Sequence, residues 1–269
     1  MGRSGMSFHT LITGASTGIG KHLAEYFAGT GENLVLVARS KEKLDVLAEE
    51  LQRSCGVDVQ VCCQDLSESG AASRVFEFCE KRSLVIDKLV NCAGFSIAGD
   101  FERMSEEDFV KMTMVNTVAL TTLIRLFLSG MLVRRRGAVI NVASMAGFQG
   151  VPGMACYSAS KAFVVNLTEA LFIELQGTGV RIFAVCPGFI DNDQFYIRAG
   201  HDRSRITVPV SGTEVVIRAV RKGLEGGQML VLPTLFDHLL VFTQRFLPGK
   251  IAGTLAGLFA GARTRGSDS

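Results

Sequence analysis

The fold this sequence predicts is a doubly wound α/β domain, a parallel sheet with helices on both faces, and three observations predict it. Short β-branched apolar runs alternate with longer stretches at helical spacing along the whole chain. The runs are apolar at nearly every position rather than at alternate ones, as strands covered on both faces are. A glycine-rich turn joins the first run to the first helical stretch, and parallel strands need such helical crossovers to reconnect. At 269 residues the chain is long enough for one large domain with a substantial core. No linker, repeat or composition shift divides it.

The elements follow in order. Residues 1–7 are a short polar tail, and 8–262 form the single domain. Phe8–Thr13 is a buried strand and Gly18–Gly29 a helix; Asn33–Val37 is the second strand. Lys41–Arg53 places leucines 44, 47 and 51 at helical spacing, and Val57–Cys63 is the third strand. Ser67–Arg82 is helical, Leu84–Val90 the fourth strand, and Ser105–Val133 a long helix in two pieces. Ala138–Ala143 (strand), Cys156–Gln176 (helix), Val180–Cys186 (strand), Thr213–Leu224 (helix) and Met229–Leu232 (strand) complete the alternation.

Two stretches are more apolar than a surface helix needs. Met112–Val133 is apolar on all sides, which predicts burial on all sides; Asn116 and Arg125 argue against a membrane span, leaving a subunit interface. In Leu235–Ala262, the residues Leu235, Leu239, Phe242 and Phe246 follow an i, i+4, i+7, i+11 pattern. Core packing, a substrate-pocket wall, an interface or a shallow peripheral membrane contact all fit that amphipathic element.

Charge and cysteine usage exclude several classes. Lys and Arg total 28 against 26 Asp and Glu, so no basic excess points to nucleic acid. Seven cysteines, odd in number and without Cys-x-x-Cys spacing, and four histidines form no metal-ligand cluster, so no metal site is expected. Reduced thiols and an N-terminus without an apolar signal segment predict a cytoplasmic protein.

The turn Thr13-Gly14-Ala15-Ser16-Thr17-Gly18-Ile19-Gly20 carries a Gly-x-x-x-Gly-x-Gly spacing. Glycines there let the backbone turn tightly and approach a pyrophosphate, which then sits at the positive end of a helix. No Gly-Lys-Ser/Thr follows, which excludes a Walker A loop. The second strand ends Val37-Ala38-Arg39-Ser40-Lys41 with no carboxylate. An acidic residue there would hydrogen-bond the ribose 2′-hydroxyl of NAD, whereas Arg39 matches the 2′-phosphate of NADP. Asp65 follows the third strand, where it can accept from an adenine amino group; Asn91-Cys92-Ala93-Gly94 follows the fourth, at the carboxyl edge where such sheets bind ligands.

The chemistry concentrates in Ser144–Lys161. Tyr157 and Lys161 lie four residues apart, hence on one helix face and about 6 Å apart along the axis. Unit charges about 4 Å apart at an effective dielectric near 20 interact by about 4 kcal/mol, worth roughly three pKa units. The expectation is a phenol brought toward neutrality, with Ser144 holding a carbonyl oxygen against it.

With these parts in place, the chain resembles the short-chain dehydrogenase/reductase family over nearly its whole length. The matching residues are TGASTGIG at 13–20, Asp65-Leu66, NCAG at 91–94, Asn116, Ser144, YSASK at 157–161 and Pro187-Gly188. The resemblance implies a Rossmann sheet of about seven parallel strands in homodimers or homotetramers that pair the two long central helices. It implies a catalytic set of Asn116, Ser144, Tyr157 and Lys161. Tyr157 is then the general acid for carbonyl reduction and the base for alcohol oxidation. Lys161 lowers its pKa and holds ribose hydroxyls, Ser144 positions the substrate oxygen, and Asn116 anchors a water in the proton path. The implied NADP(H) contacts are Gly14, Ser16, Thr17, Gly18, Ile19, Gly20, Arg39, Asp65, Leu66, Asn91, Ala93, Gly94, Tyr157, Lys161, Pro187, Gly188 and Ile190. One departure from the family pattern is Asn192, where a threonine often contacts the nicotinamide amide.

Residues 189–212 occupy the position of a substrate lid, and Met145, Met154 and Phe189 predict an apolar substrate pocket. The expected activity is NADPH-dependent reduction of a ketone or aldehyde on a hydrophobic ketoacyl, steroid-like or lipid substrate. The same enzyme run as an alcohol dehydrogenase, or a non-catalytic NADP(H)-sensing module, are the alternatives. A binding module has no need of the Asn116, Ser144, Tyr157 and Lys161 set.

Overall fold

Side chains that point to opposite faces in turn along each strand, and are buried on both, are sorted onto two separate cores, one on each face of the sheet. The computed structural model describes residues 7–191, 196, 197, 199 and 203–261. Its strands are β1 (Phe8–Thr13), β2 (Asn33–Ala38), β3 (Val59–Cys63), β4 (Val85–Asn91), β5 (Gly137–Val142), β6 (Val180–Val185) and β7 (Leu230–Val231). The helices are α1 (Gly18–Gly29), α2 (Lys41–Cys55), α3 (Ala71–Lys81), α4 (Glu106–Thr113), α5 (Leu120–Arg134), α6 (Ala155–Glu174), α7 (Glu214–Glu225), α8 (Leu235–Gln244) and α9 (Gly249–Ala260).

The seven strands pair in the order β3-β2-β1-β4-β5-β6-β7, and every pairing is parallel. Leu11, Val35, Val37, Leu89 and Val139 face the core packed by α3, α5 and α6. Their neighbours Ile12, Leu34, Leu36, Val90 and Ile140 face the opposite core, packed by α1, α2 and α7. This period-two division over both faces explains why the runs read as continuously apolar.

The chain winds outward from β1 to β3 and returns to β4 on the other side of β1. A crevice therefore opens at the carboxyl ends of β1 and β4. Thr13 fixes its floor. Its hydroxyl accepts from the main-chain N–H of Cys92 and of Ala93, each at 3.0 Å, and donates to the Val90 carbonyl at 3.3 Å. Behind the crevice, Asn91 Nδ2 donates to Asn141 Oδ1 and Asn141 Nδ2 to Thr168 Oγ1, both at 2.9 Å. These buried amides tie β4, β5 and α6 together, so the ends of the strands arrive in register.

The long helix differs from its expectation in two ways. Its two pieces are joined by a π-helical turn, Met114–Ala119, so Glu106–Arg134 runs as one helix, long and apolar enough by length and composition to cross a membrane. It is also not buried all round in the single chain. Met112, Leu123, Phe127 and Met131 enter the core, while Val118 and Leu132 are exposed and Val133 is 86% exposed. The sheet covers one face of a helix; an apolar sequence on the other face is left outward.

Candidate active site

The strand ends, the glycine turn and α6 enclose one cavity of about 780 Å³, within the range of small-molecule sites. At its cofactor-shaped end, Gly14 has φ +69° and a Cβ there would lie 2.9 Å from Ala93 Cα. A Cβ on Gly20 would lie 2.3 Å from the Gly14 carbonyl oxygen. Only glycine lets α1 dock this closely on the turn, while Gly18 supplies a second left-handed residue, φ +55°. The first turn of α1 has neither an acidic residue nor a side-chain cap. Its N–H groups and positive helix end therefore face the cavity free for an anion.

Arg39 lines the same end, with Ser40 and Lys43 beside it. Its guanidinium lies 3.6 Å from Asp65 Oδ2. Asp65 also accepts from the Ser67 N–H at 2.9 Å and the Ser67 hydroxyl at 2.7 Å. Burial raises the Asp65 carboxyl, but the Ser67 bonds and the Arg39 charge outweigh it and hold the group below its ordinary value. Asp65 is thus already occupied by protein donors, and Arg39 leans on it through a half-exposed pair that costs little to open.

The reacting end is built by β5, α6 and the π turn. Ser144 caps the short helical turn Met145–Gly147 by accepting from the Ala146 N–H at 3.1 Å. Tyr157 is 7% exposed. Burial pushes its phenol up to about 12, against a hydrogen bond with the Ser144 side chain that pulls it down. Lys161 Nζ donates to the Val142 carbonyl at 2.8 Å and lies 5.7 Å from the Tyr157 ring centroid. Burial pushes its amine down to about 8, opposed by the Cys92 and Cys186 thiols. The expected lowering of the Tyr157 phenol is therefore reversed in the ligand-free protein. Spacing alone fixes neither desolvation nor where an ammonium points, and here desolvation wins for both groups.

Asn116 sits in the π turn, an irregularity frequent at functional positions. Its Nδ2 donates to the Phe95 carbonyl and to Ser160 Oγ, each at 3.0 Å, and its Oδ1 accepts from the Phe95 N–H at 3.2 Å. Ser160 in turn donates to the Tyr157 carbonyl at 2.7 Å. Asn116 thus clamps the segment after β4 to the first turns of α6. A Cβ on Gly94 would meet Asn116 Oδ1 at 3.2 Å and Lys161 Nζ at 3.4 Å, so these groups converge beneath Gly94.

Most residues read from the sequence come together. Gly14, Ser16, Thr17, Ile19, Gly20, Arg39, Asp65, Leu66, Ala93, Gly94, Ser144, Tyr157, Lys161, Pro187, Gly188 and Ile190 line the cavity, as do Met145, Met154 and Phe189. Gly18, Asn91 and Asn116 stand behind its wall, and the Asn91 side chain is spent on Asn141. Asn192 and the lid residues 193–195, 198 and 200–202 lie outside the described residues. The described lid folds back on itself, with Ile190 bridged to Ser211 and Asp191 paired to Arg203 at 2.7 Å.

A pocket wall is one of the readings open for Leu235–Ala262, and α8 and α9 supply one through residues that the sequence pattern does not single out. Phe236, Asp237, Leu240, Gln244 and Phe259 complete the wall. Asp237 is 5% exposed, and a Cβ on Gly188 would lie 2.7 Å from its Oδ1. Burial pushes its carboxyl up, while bonds from Thr234 pull it down. The signal was present locally: Thr234-x-x-Asp237 is a capping box, and both of its hydrogen bonds form. That pattern starts a helix but does not say what the helix packs against.

Lys161 gives a pH signature. Folded Lys161 loses its proton near pH 8, whereas the unfolded side chain keeps it to about 10.5. Between those values the unfolded Lys161 side chain holds its proton and the folded one does not, so this group's contribution to stability rises with pH. Groups raised by burial act in the opposite sense: Cys92 and Cys186 keep their protons to about 12 when folded and to 9 when unfolded, and Tyr157 to about 12 against 10, so the Lys161 contribution is read against a variant that lacks only the amine. The urea midpoint of the ligand-free protein is expected to rise from pH 8 to pH 10 relative to that of Lys161→Met; parallel pH curves for the two proteins would contradict the burial of this amine.

Known proteins share both the sequence and the fold that build this site. The short chain dehydrogenase family profile matches residues 9–198. The chain is 36% identical over 178 residues to the 7beta-hydroxysteroid dehydrogenase of Collinsella aerofaciens, covering 66% of this chain and 67% of that one. It is 36% identical over 182 residues to a 3-oxoacyl-acyl-carrier-protein reductase of Thermotoga maritima, covering 67% and 73%. A solved short-chain dehydrogenase from Sphingobium yanoikuyae in complex with NADPH superposes with a TM-score of 0.79 at 33% identity, over 88% of this chain and 94% of that one.

Proposed function

Because the chain belongs to the short-chain dehydrogenase family, and is an oxidoreductase acting on carbonyl or alcohol groups, we propose that it reduces an apolar ketone or aldehyde with NADPH. A nicotinamide dinucleotide, when bound, supplies the hydride. The residues present fit one: the Gly14–Gly20 cradle and the uncapped start of α1 suit a pyrophosphate, and Arg39 suits a 2′-phosphate. The NADPH complex of the Sphingobium relative supports the same choice.

The observation that carries this reading is the placement of the buried Tyr157 phenol beside Ser144, both lining the cavity, with the phenol protonated. At neutral pH it keeps its proton and has one to give. A carbonyl oxygen held between the Ser144 and Tyr157 hydroxyls gains electron density as hydride arrives at its carbon, and positioned donors stabilise that charge. Tyr157 then hands its proton to the oxygen. Lys161, at the floor beside Gly94, binds ribose hydroxyls and supports the phenolate left behind. Asn116 holds the segment against which both groups are set, and a water anchored there completes the proton path.

The substrate end is walled by Met145, Met154, Phe189, Leu240 and Phe259, which favours bulky apolar groups. The hydroxysteroid and 3-oxoacyl names of two relatives fit that wall. The outward apolar face of α5 supports pairing of the two central helices between copies, as a homodimer or homotetramer. All seven cysteines are free thiols, which supports a reducing, cytoplasmic setting. A carbonyl panel assayed with NADPH tests the substrate reading: kcat/KM is expected to climb with apolar bulk, and turnover confined to sugars or small polyols would overturn it.

A further inference from the structure

We propose that the α8–α9 pair docks on a membrane surface carrying anionic lipid, its outer apolar face lying in the acyl boundary. On α8 and the turn that ends it, Leu235, Leu239, Phe242 and Phe246 are 88%, 59%, 60% and 72% exposed. Their spacing of four, three and four residues puts them on one stripe. The Phe242 and Phe246 rings meet edge to face at 5.1 Å, so the stripe presents a joined apolar surface rather than scattered side chains. On α9, Ile251 is 48% and Leu258 64% exposed.

The fold does not need this face. The pair is anchored by its inner side, where Asp237, Val241, Ala252, Ala256 and Ala260 are buried and Ala256 and Ala260 join the cluster around Tyr157. Exposed apolar surface on this scale marks an interaction site.

Charge selects the occupant. Between Leu235 and Gly261 the exposed ionisable groups are His238, Arg245 and Lys250, and the single carboxylate, Asp237, is buried. An apolar stripe with cations and no exposed carboxylate is complementary to anionic headgroups. A second copy of the same face would bring no exposed carboxylate to Arg245 and Lys250. Helices of 10 and 12 residues are too short to span a bilayer, so the pair lies on the surface.

The same helices wall the substrate cavity with Phe236, Leu240 and Phe259. A substrate dissolved in the lipid would therefore meet the wall of the site at the docking surface. This link to an apolar substrate rests on the function proposed above, whereas vesicle binding does not.

Flotation of the full chain with phosphatidylcholine vesicles, with and without phosphatidylglycerol, tests the docking directly. Binding to the anionic vesicles is expected to exceed binding to neutral ones by at least about tenfold and to weaken with salt. F242Q/F246Q, and separately R245E/K250E, are each expected to reduce it by about tenfold or more. Both variants are expected to retain the native circular dichroism and the turnover of a small water-soluble ketone. Absence of binding to anionic vesicles, or binding unchanged in F242Q/F246Q, overturns the proposal. A fall in oligomeric mass in F242Q/F246Q without vesicle binding by the parent assigns the face to a second copy instead. Vesicle binding by a protein that turns over no apolar carbonyl upholds the docking and refutes only the substrate reading.

Discussion

Tyr157→Phe is expected to lower kcat for carbonyl reduction by about 10²–10⁴-fold, the usual worth of a positioned proton donor. NADPH binding is expected to survive, weakened by less than about tenfold, since Tyr157 offers the nucleotide one hydroxyl among many contacts, worth about 1 kcal/mol. The ring stays in place because its neighbours are apolar: Phe95, Met112, Val151 and Met154 surround it. What disappears is the one proton held against Ser144. Without it, the oxygen that gains charge at the substrate carbon has a single hydroxyl for support and no acid. Stopped-flow reduction and an NADPH fluorescence titration on the same sample check both halves. Turnover within about tenfold of the parent would remove Tyr157 from the acid role.

Arg39→Glu is expected to weaken NADPH by about 10²–10⁴-fold and to leave NADH unchanged or improved. A guanidinium that grips a phosphate through two charge-assisted bonds contributes about 1.5–3 kcal/mol for each, and a carboxylate in its place repels the phosphate. Little in the protein holds Arg39 back, because its contact with Asp65 is 3.6 Å long and its side chain is 56% exposed. A glutamate there also stands where NAD-dependent relatives of this architecture engage the ribose hydroxyls. Values of kcat/KM with the two nucleotides side by side check it. Equal losses for both would mean that Arg39 shapes the turn without reading the 2′ position.

Much of this site was legible in the chain because its parts are local. A glycine at positive φ, such as Gly14, and an uncapped helix start leave marks within one turn of sequence. Arg39 is legible by what does not accompany it, a carboxylate. The strands were readable from continuous apolar runs such as Leu34–Val37, since both faces of the sheet are covered.

Other features depend on distant packing. The sign of the Tyr157 shift is set by burial against Met112, Val151, Met154 and the α9 alanines, which no four-residue spacing encodes. The π turn around Asn116 answers to Phe95 and Ser160, 21 and 44 residues away in sequence. Asp237 reaches the site because α8 docks beside Gly188, and its capping box signals only that a helix begins. The outer faces of α5 and α8 read as apolar, and periodicity alone does not distinguish a stripe that packs inward from one left for a partner.

The proposed reaction is hydride transfer to a substrate carbonyl within the cavity, with Tyr157 giving the proton. Mass spectrometry of the alcohol formed from a bulky apolar ketone and NADPH deuterated at its transferable C4 position tests it most directly. The predicted result is one deuterium on the carbinol carbon, matched one for one by NADPH consumed. NADPH that binds tightly yet stays unconsumed across the carbonyl panel would contradict it and leave a nucleotide-sensing module in its place.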